Sequence, residues 1–212
     1  MRNGCEEKVN MRVRQEWRGV RTLNFIQLEG NRVSLIPLET EHAEALYACA
    51  ASPLIWENLP VNIRQFDDML AFIRTAIAGR ERGEEFPYAV YDKSLNRMVG
   101  MTRYLRISDN HKNLNIGWTW YDPVVWRTAV NTECKYMLLQ YAFETWGALR
   151  VELITTTAHT RSQNAIERLG AQREGILRKK YNGRDYVVYS IIDEDWADVK
   201  ARLAARLRGE SS

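Results

Sequence analysis

From about residue 23 the hydrophobic positions fall into two alternating periods. "RVSLIPL" (32–38) reads as a strand, and Glu39 or Thr40 then opens a helix that runs through Ala51. "SPLIWENLPVN" is a loop with a proline near each end. "FDDMLAFIRTAIAGRERGEE" returns to helical spacing, with Asp67 and Asp68 at its positive end. The period then shortens again. "FPYAVYD", "RMVGMTRYLRI" and "NLNIGWTWYD" are β-rich runs parted by the turn clusters "KSLN" and "SDNHKN", which predicts three antiparallel strands.

A polar loop, "WRTAV", leads into a helix expected to start at Asn131. Its apolar face carries Cys134, Met137, Leu138, Tyr141, Ala142 and Thr145, and its polar face Glu133, Gln140 and Glu144. "RVELITTT" is the next strand, and a short helix from about Arg161 to Leu169 ends at Gly170. "AQREGILRKKY" and "DYVVYSII" form a hairpin turned by "NGR", and Asp193 caps a last helix. Strands and helices interleaved in this order demand an α/β fold with a mixed sheet covered by helices.

The first 22 residues are charged and aperiodic and read as an arm or tail, leaving 23–212 as one domain. With 212 residues, 45% of them hydrophobic and including seven tryptophans and ten tyrosines, the chain can bury one substantial core. A formal charge of +3, set against 30 basic and 27 acidic residues, gives no argument for a nucleic-acid or membrane surface. Cys5, Cys49 and Cys134 are odd in number and far apart, so neither a disulfide framework nor a cysteine metal site is indicated. His42 and His111 lack companions at ligand spacing, and no metal is expected. No apolar run approaches the ~18 to 20 residues that span a bilayer, and no secretory signal is legible, so a cytoplasmic location is expected.

The loop before the third helix carries the most chemistry. A helix N-terminus presents unpaired N–H groups and partial positive charge, which suits a pyrophosphate if the preceding loop lets the ligand approach. Glycine is favoured there, and this loop has none. Its small or permissive positions are Thr128, Ala129 and Asn131, so Asn131 either N-caps a core helix or stands in for a glycine beside an anion. Alternation places Trp118 and Trp120 on one face of the preceding strand, as core or as the wall of a pocket.

The run "NIGWTWYDPVVWRTAVNTECKYMLLQYAFETWGALRVELITTTAHTRSQNAIERLGAQREGILR" resembles the cofactor half of the GNAT acetyltransferases, in the branch typified by the ribosomal-protein N-acetyltransferases (RimJ/RimL type). The likeness extends over about Leu28 to Leu207 and rests on several elements in order: a strand ending "YDP", the loop, the "TECKYMLLQYAFE" helix, "RVEL", "RSQNAIERLGA" with "EGILR", and "YVVYS". It implies the GNAT fold, a splayed mixed sheet, with acetyl-coenzyme A between "NIGWTWYD" and "RVELITTT". The pantetheine arm would lie near Trp120, Tyr121 and Asp122, and the pyrophosphate on the N–H groups of Arg127, Thr128, Ala129, Val130, Asn131 and Thr132. Arg127, Lys135 and Arg161 are further candidates for phosphate contact. The chain departs from the family's glycine-bearing loop at Trp126, Ala129 and Asn131.

Where many members carry an acidic tyrosine this chain has Ile166, but Ser162, one turn earlier, matches the branch and is the candidate donor to the coenzyme sulfur. Ser162 also stands where a helix N-cap is expected, and the two roles are compatible. His159 replaces an asparagine that contacts the pantetheine arm. It would contact the arm, act as a base, or sit idle in a loop. For the general base the resemblance points to Glu57, near the acceptor side, and Asp122 at the end of the splayed strand is a second candidate; either would otherwise be a solvated loop acid. The resemblance thus implies acetyl transfer to a primary amine, on a protein N-terminus or a small molecule, through a ternary complex. A non-enzymatic acyl-coenzyme A binding or sensing module with the same fold is the competing expectation. Acetyl-coenzyme A and an amine acceptor are the partners implied, with a homodimer allowed and no nucleic acid or membrane.

Overall fold

In the computed structural model, which describes residues 23–209, the predicted runs become eight strands in the order β1-β2-β3-β4-β5-β6-β8-β7. The proposed arm at 1–22 lies outside the described residues. A two-residue strand, β1 (Leu28–Glu29), precedes β2 (Val33–Pro37). A 3-10 turn (Thr40–His42) leads into α1 (Ala43–Cys49), and a second (Pro53–Ile55) interrupts the loop before α2 (Phe66–Glu81). The carboxylate of Asp68 accepts the N–H groups of Arg64 and Gln65 at 2.9 and 3.1 Å and closes the start of α2.

The meander β3 (Glu85–Asp92), β4 (Arg97–Ser108) and β5 (Asn113–Tyr121) is antiparallel, as the turn clusters predict. Helix α3 (Val130–Gln140) runs into a single π-helical stretch, Tyr141–Trp146. Next come β6 (Arg150–Thr156), α4 (Thr160–Leu169), the hairpin β7 (Gln172–Tyr181) and β8 (Arg184–Ile192), and α5 (Asp193–Leu207). The sheet is mixed because β5 and β6 pair in parallel while every other neighbouring pair is antiparallel.

Alternation along the strands divides the core into two layers. Leu46, Met69, Ile73, Met101 and Trp120 pack under α1 and α2, whereas Leu138, Val151, Tyr189, Trp196 and Leu203 pack under α3 and α5. Three boundary readings change. The last helix takes Ile192 as its N-cap, with Asp193 its first residue; the side chain of Asp195 reaches back to the Ile192 N–H at 3.3 Å. Helix α3 takes Ala129 as its N-cap, so Asn131 lies inside the first turn. The π-helical turn adds a residue per turn and rotates the face, burying Phe143 and Trp146 and exposing Thr145. Glu133 also leaves the polar face: its buried carboxylate accepts the N–H groups of Asn31, Arg32 and Val33 at 2.6, 3.1 and 2.9 Å, tying α3 to the turn between β1 and β2.

Strand β5 is unusual on both of its edges. Its parallel pairing with β6 is confined to Asn113↔Arg150, Leu114↔Val151 and Asn115↔Glu152. On its other side, Met101 faces Trp120 and Arg103 faces Gly117, so Thr102 opposes both Trp118 and Thr119. This is a β-bulge, with Trp118 at φ 50°. Beyond the bulge β4 approaches so closely that a Cβ at Gly100 would sit 2.1 Å from the Trp120 carbonyl oxygen. Because that oxygen belongs to the backbone of a paired strand, Gly100→Ala is expected to destabilise the protein by at least about 2 kcal/mol in denaturant unfolding.

Candidate active site

Where β5 and β6 part, a cleft of about 1670 Å³ opens between them. One wall is β5 from Asn115 to Tyr121, the other β6 from Leu153 to Thr156 with His159, Arg161 and Ser162 of the turn and helix beyond it. The loop after β5 forms the mouth. Its 3-10 turn (Pro123–Val125) is capped by the Asp122 carboxylate, which accepts the Val124 N–H at 3.0 Å and pairs with Arg97 at 2.8 Å. The hydroxyl of Thr128 donates to the Val125 carbonyl at 2.7 Å and accepts the Val130 N–H at 3.3 Å. With both ends fixed, the chain reversal falls on Arg127, at φ 61°.

That geometry corrects the expectation for the loop: the glycine-like conformation belongs to Arg127, and Asn131 is helical. The main-chain N–H groups of Arg127, Ala129, Asn131 and Thr132 have no partner among the described residues. Four free donors at a helix N-terminus, beside the half-buried Asn131 and Thr132, are a ready anion site. Val130, fully buried with its N–H engaged by Thr128, adds nothing to that set.

Of the residues expected at the site, Trp120, Tyr121, Arg127, Thr128, Asn131, Thr132, His159 and Ser162 line the cleft. Asp122, Ala129 and Val130 do not. The Asp122 side chain is consumed by the turn and by Arg97, and Ala129 reaches a ligand only through its N–H. Glu57 lines a smaller adjoining cavity with Leu54, Asn58, Ala158, His159, Thr160 and Arg161, so His159 stands between the two spaces.

Ser162 is the third residue of α4 rather than its cap, a position taken by His159. Its amide donates to the His159 carbonyl at 3.0 Å, while its hydroxyl has no partner among the described residues. The Nε2 of His159 and the Nε1 of Trp120 are buried without a partner among the described residues. Groups left unsatisfied on the walls of a cleft are poised for a ligand. Burial, and then the nearby Arg161 guanidinium, depress the His159 pKa, while Glu57 acts the other way, so the imidazole is neutral near pH 7. Arg161 stacks over the Trp126 ring at 3.9 Å, across the cleft mouth.

Lys135, a candidate for phosphate contact, is 5% exposed in the cleft wall, with its ammonium donating to Thr119 Oγ1 at 2.7 Å and to Thr102 Oγ1 at 3.4 Å. The sequence signal was there: Lys135 lies three and four residues before the core residues Leu138 and Leu139, on the buried face. No carboxylate pairs with it among the described residues, and burial pulls its pKa down to about 8.

A mixed sheet that splays beside the free amides of a helix N-terminus is a cleft suited to an anionic ligand. The acetyltransferase (GNAT) domain model matches residues 32–172, and the chain belongs to that family and is an N-acetyltransferase. It is 24% identical over 173 residues to the uncharacterised N-acetyltransferase YoaA of Bacillus subtilis, covering 79% of this chain and 97% of that one. A solved structure from T. thermophilus, assigned as an acetyltransferase, is 33% identical with a TM-score of 0.77, covering 85% and 96% of the two chains. RimL, a ribosomal L7/L12 α-N-protein acetyltransferase solved with coenzyme A, shares the fold at a TM-score of 0.70 and 18% identity, over 80% of this chain and all (100%) of that one.

The pKa of Lys135 gives the sign of a stability effect. Below pH 8 the lysine is charged in both folded and unfolded states and the burial penalty is complete. Between about 8 and the ordinary lysine value the unfolded chain holds the extra proton, so raising the pH relieves the penalty. Lys135→Met is therefore expected to be more stable than the wild type at pH 7, by up to about 3 kcal/mol, with the gap narrowing by pH 10 in urea titrations.

Proposed function

We propose that the cleft binds acetyl-coenzyme A and that the protein transfers the acetyl group directly to a primary amine, a protein N-terminus or a small molecule, in a ternary complex. The observation that carries this reading is the opening of β5 from β6 beside four unpaired amides at the start of α3. Those amides fit a pyrophosphate, and the cleft walls offer Trp120, Tyr121 and His159 to the arm attached to it. Arg127, exposed at the reversal, adds positive charge there. One domain spanning 23–212 would house the reaction.

The reaction forms one C–N bond and breaks one C–S bond, so a proton must leave the amine and another must reach the sulfur. Acetyl-coenzyme A supplies the thioester; the protein holds it, excludes water and places the protons. Ser162, its hydroxyl unengaged in the cleft, is the donor toward the sulfur, which supports the RimJ/RimL-type branch in place of the tyrosine-bearing pattern. Glu57, across the small cavity from His159, is the acceptor-side base, and the neutral imidazole lies between it and the cleft.

The direct assay is thiol release from acetyl-coenzyme A across a panel of amines and N-terminal peptides. Ser162→Ala is expected to lower kcat by about ten- to a hundredfold with coenzyme affinity nearly unchanged. Unchanged kcat would remove Ser162 from the proton path, and coenzyme binding in calorimetry without turnover on any acceptor would favour the binding or sensing module. Glu57→Gln is expected to lower kcat with an amine acceptor while leaving coenzyme binding intact.

A further inference from the structure

The bulge on β5 is held from both faces of the sheet. On one face the Trp118 ring packs on Phe72, with centroids 5.7 Å apart, and lies 4.9 Å from the Arg103 guanidinium, which is itself paired with Glu85 at 2.7 Å. On the other face the Lys135 ammonium reaches both Thr119, inside the bulge, and Thr102, the residue opposite it, and those two hydroxyls lie 2.9 Å apart. A bulky residue at positive φ is strained by roughly 1 to 3 kcal/mol and persists only where its surroundings hold it. Trp118 is such a residue, and it lines the cleft.

We propose that Lys135 is a positioning residue for acetyl transfer: by binding Thr119 and Thr102 it clamps the β5 bulge and so sets Trp118 and the course of β5 along the cleft. The proposal rests on the reading of this cleft as the acetyl-transfer site. A buried ammonium without a carboxylate partner is a poor device for stability, since an apolar side chain of similar length packs without the desolvation penalty. Its geometry instead serves register. Two hydroxyls from adjacent strands converge on one donor from a helix, at the place where strand pairing skips a residue. Lys135, Thr119 and Trp118 all line the cleft, and none of the four free amides belongs to the clamp, so its expected effect is on the course of β5.

The test compares wild type, Lys135→Met, Thr119→Val and the double variant in steady-state kinetics on the acceptor that the wild type turns over fastest, with coenzyme binding measured separately by calorimetry. A clamp predicts that each single variant lowers kcat about tenfold while KM for acetyl-coenzyme A stays within about threefold, and that the double variant is no worse than the poorer single one. Because Thr119→Val keeps the shape of the side chain, it carries the test should Lys135→Met fold poorly. The proposal is overturned if both singles keep kcat within about twofold of wild type, if the two losses multiply in the double variant, or if coenzyme affinity falls in step with kcat. A wild type that binds no coenzyme overturns the functional reading and this one with it, whereas an active wild type with unaffected variants overturns this one alone.

Discussion

A strand flanked on both sides within a sheet ordinarily spends its N–H and C=O groups on two neighbours, and β5 does so for only three residues before its parallel partner departs. From Ile116 onward it remains fixed to β4 on one side and faces the cleft on the other. The departure is built into the frame. β6 is held along its whole length by β8, from Arg150↔Ile192 to Thr156↔Tyr186, and β5 is bent by its bulge and pressed against Gly100. Closing the two strands on each other would therefore undo pairings elsewhere.

What lines that opening is a set of groups kept unsatisfied by the same frame. The Asp122 turn and the Thr128 hydroxyl fix the loop so that four amides at the start of α3 meet no acceptor among the described residues. Glu133, one turn along, uses its carboxylate on the turn between β1 and β2 and thereby orients the whole helix against the sheet. The walls add a neutral imidazole, an indole N–H and a serine hydroxyl without partners among the described residues. Unpaired donors are costly in a closed interior, whereas on the walls of a cleft they are open to a ligand.

The element order is legible in the sequence because the apolar period changes cleanly between strands and helices, and the turn residues Asn182 and Gly183, and Gly170 after α4, adopt the positive φ their chemistry favours. The parallel splayed pair is legible only through family resemblance, since no local pattern says where two strands stop pairing. The bulge has one local mark, the isolated Gly117 inside the strand run, but the positive φ falls on Trp118, whose conformation is imposed by packing on both faces. In the loop, residue preference points to Asn131, but the turn hydrogen bonds on either side move the left-handed position to Arg127. Lys135 misleads because its charge suggests a wet edge, although its spacing from Leu138 and Leu139 belongs to the core.

We infer that acetyl-coenzyme A occupies the gap between β5 and β6. A crystal structure of the protein with acetyl-coenzyme A tests it directly. The pyrophosphate is expected on the amides of Arg127, Ala129, Asn131 and Thr132 and the thioester between the two strands, within reach of Ser162. A coenzyme seated outside the splay, or phosphates held away from the start of α3, would contradict it.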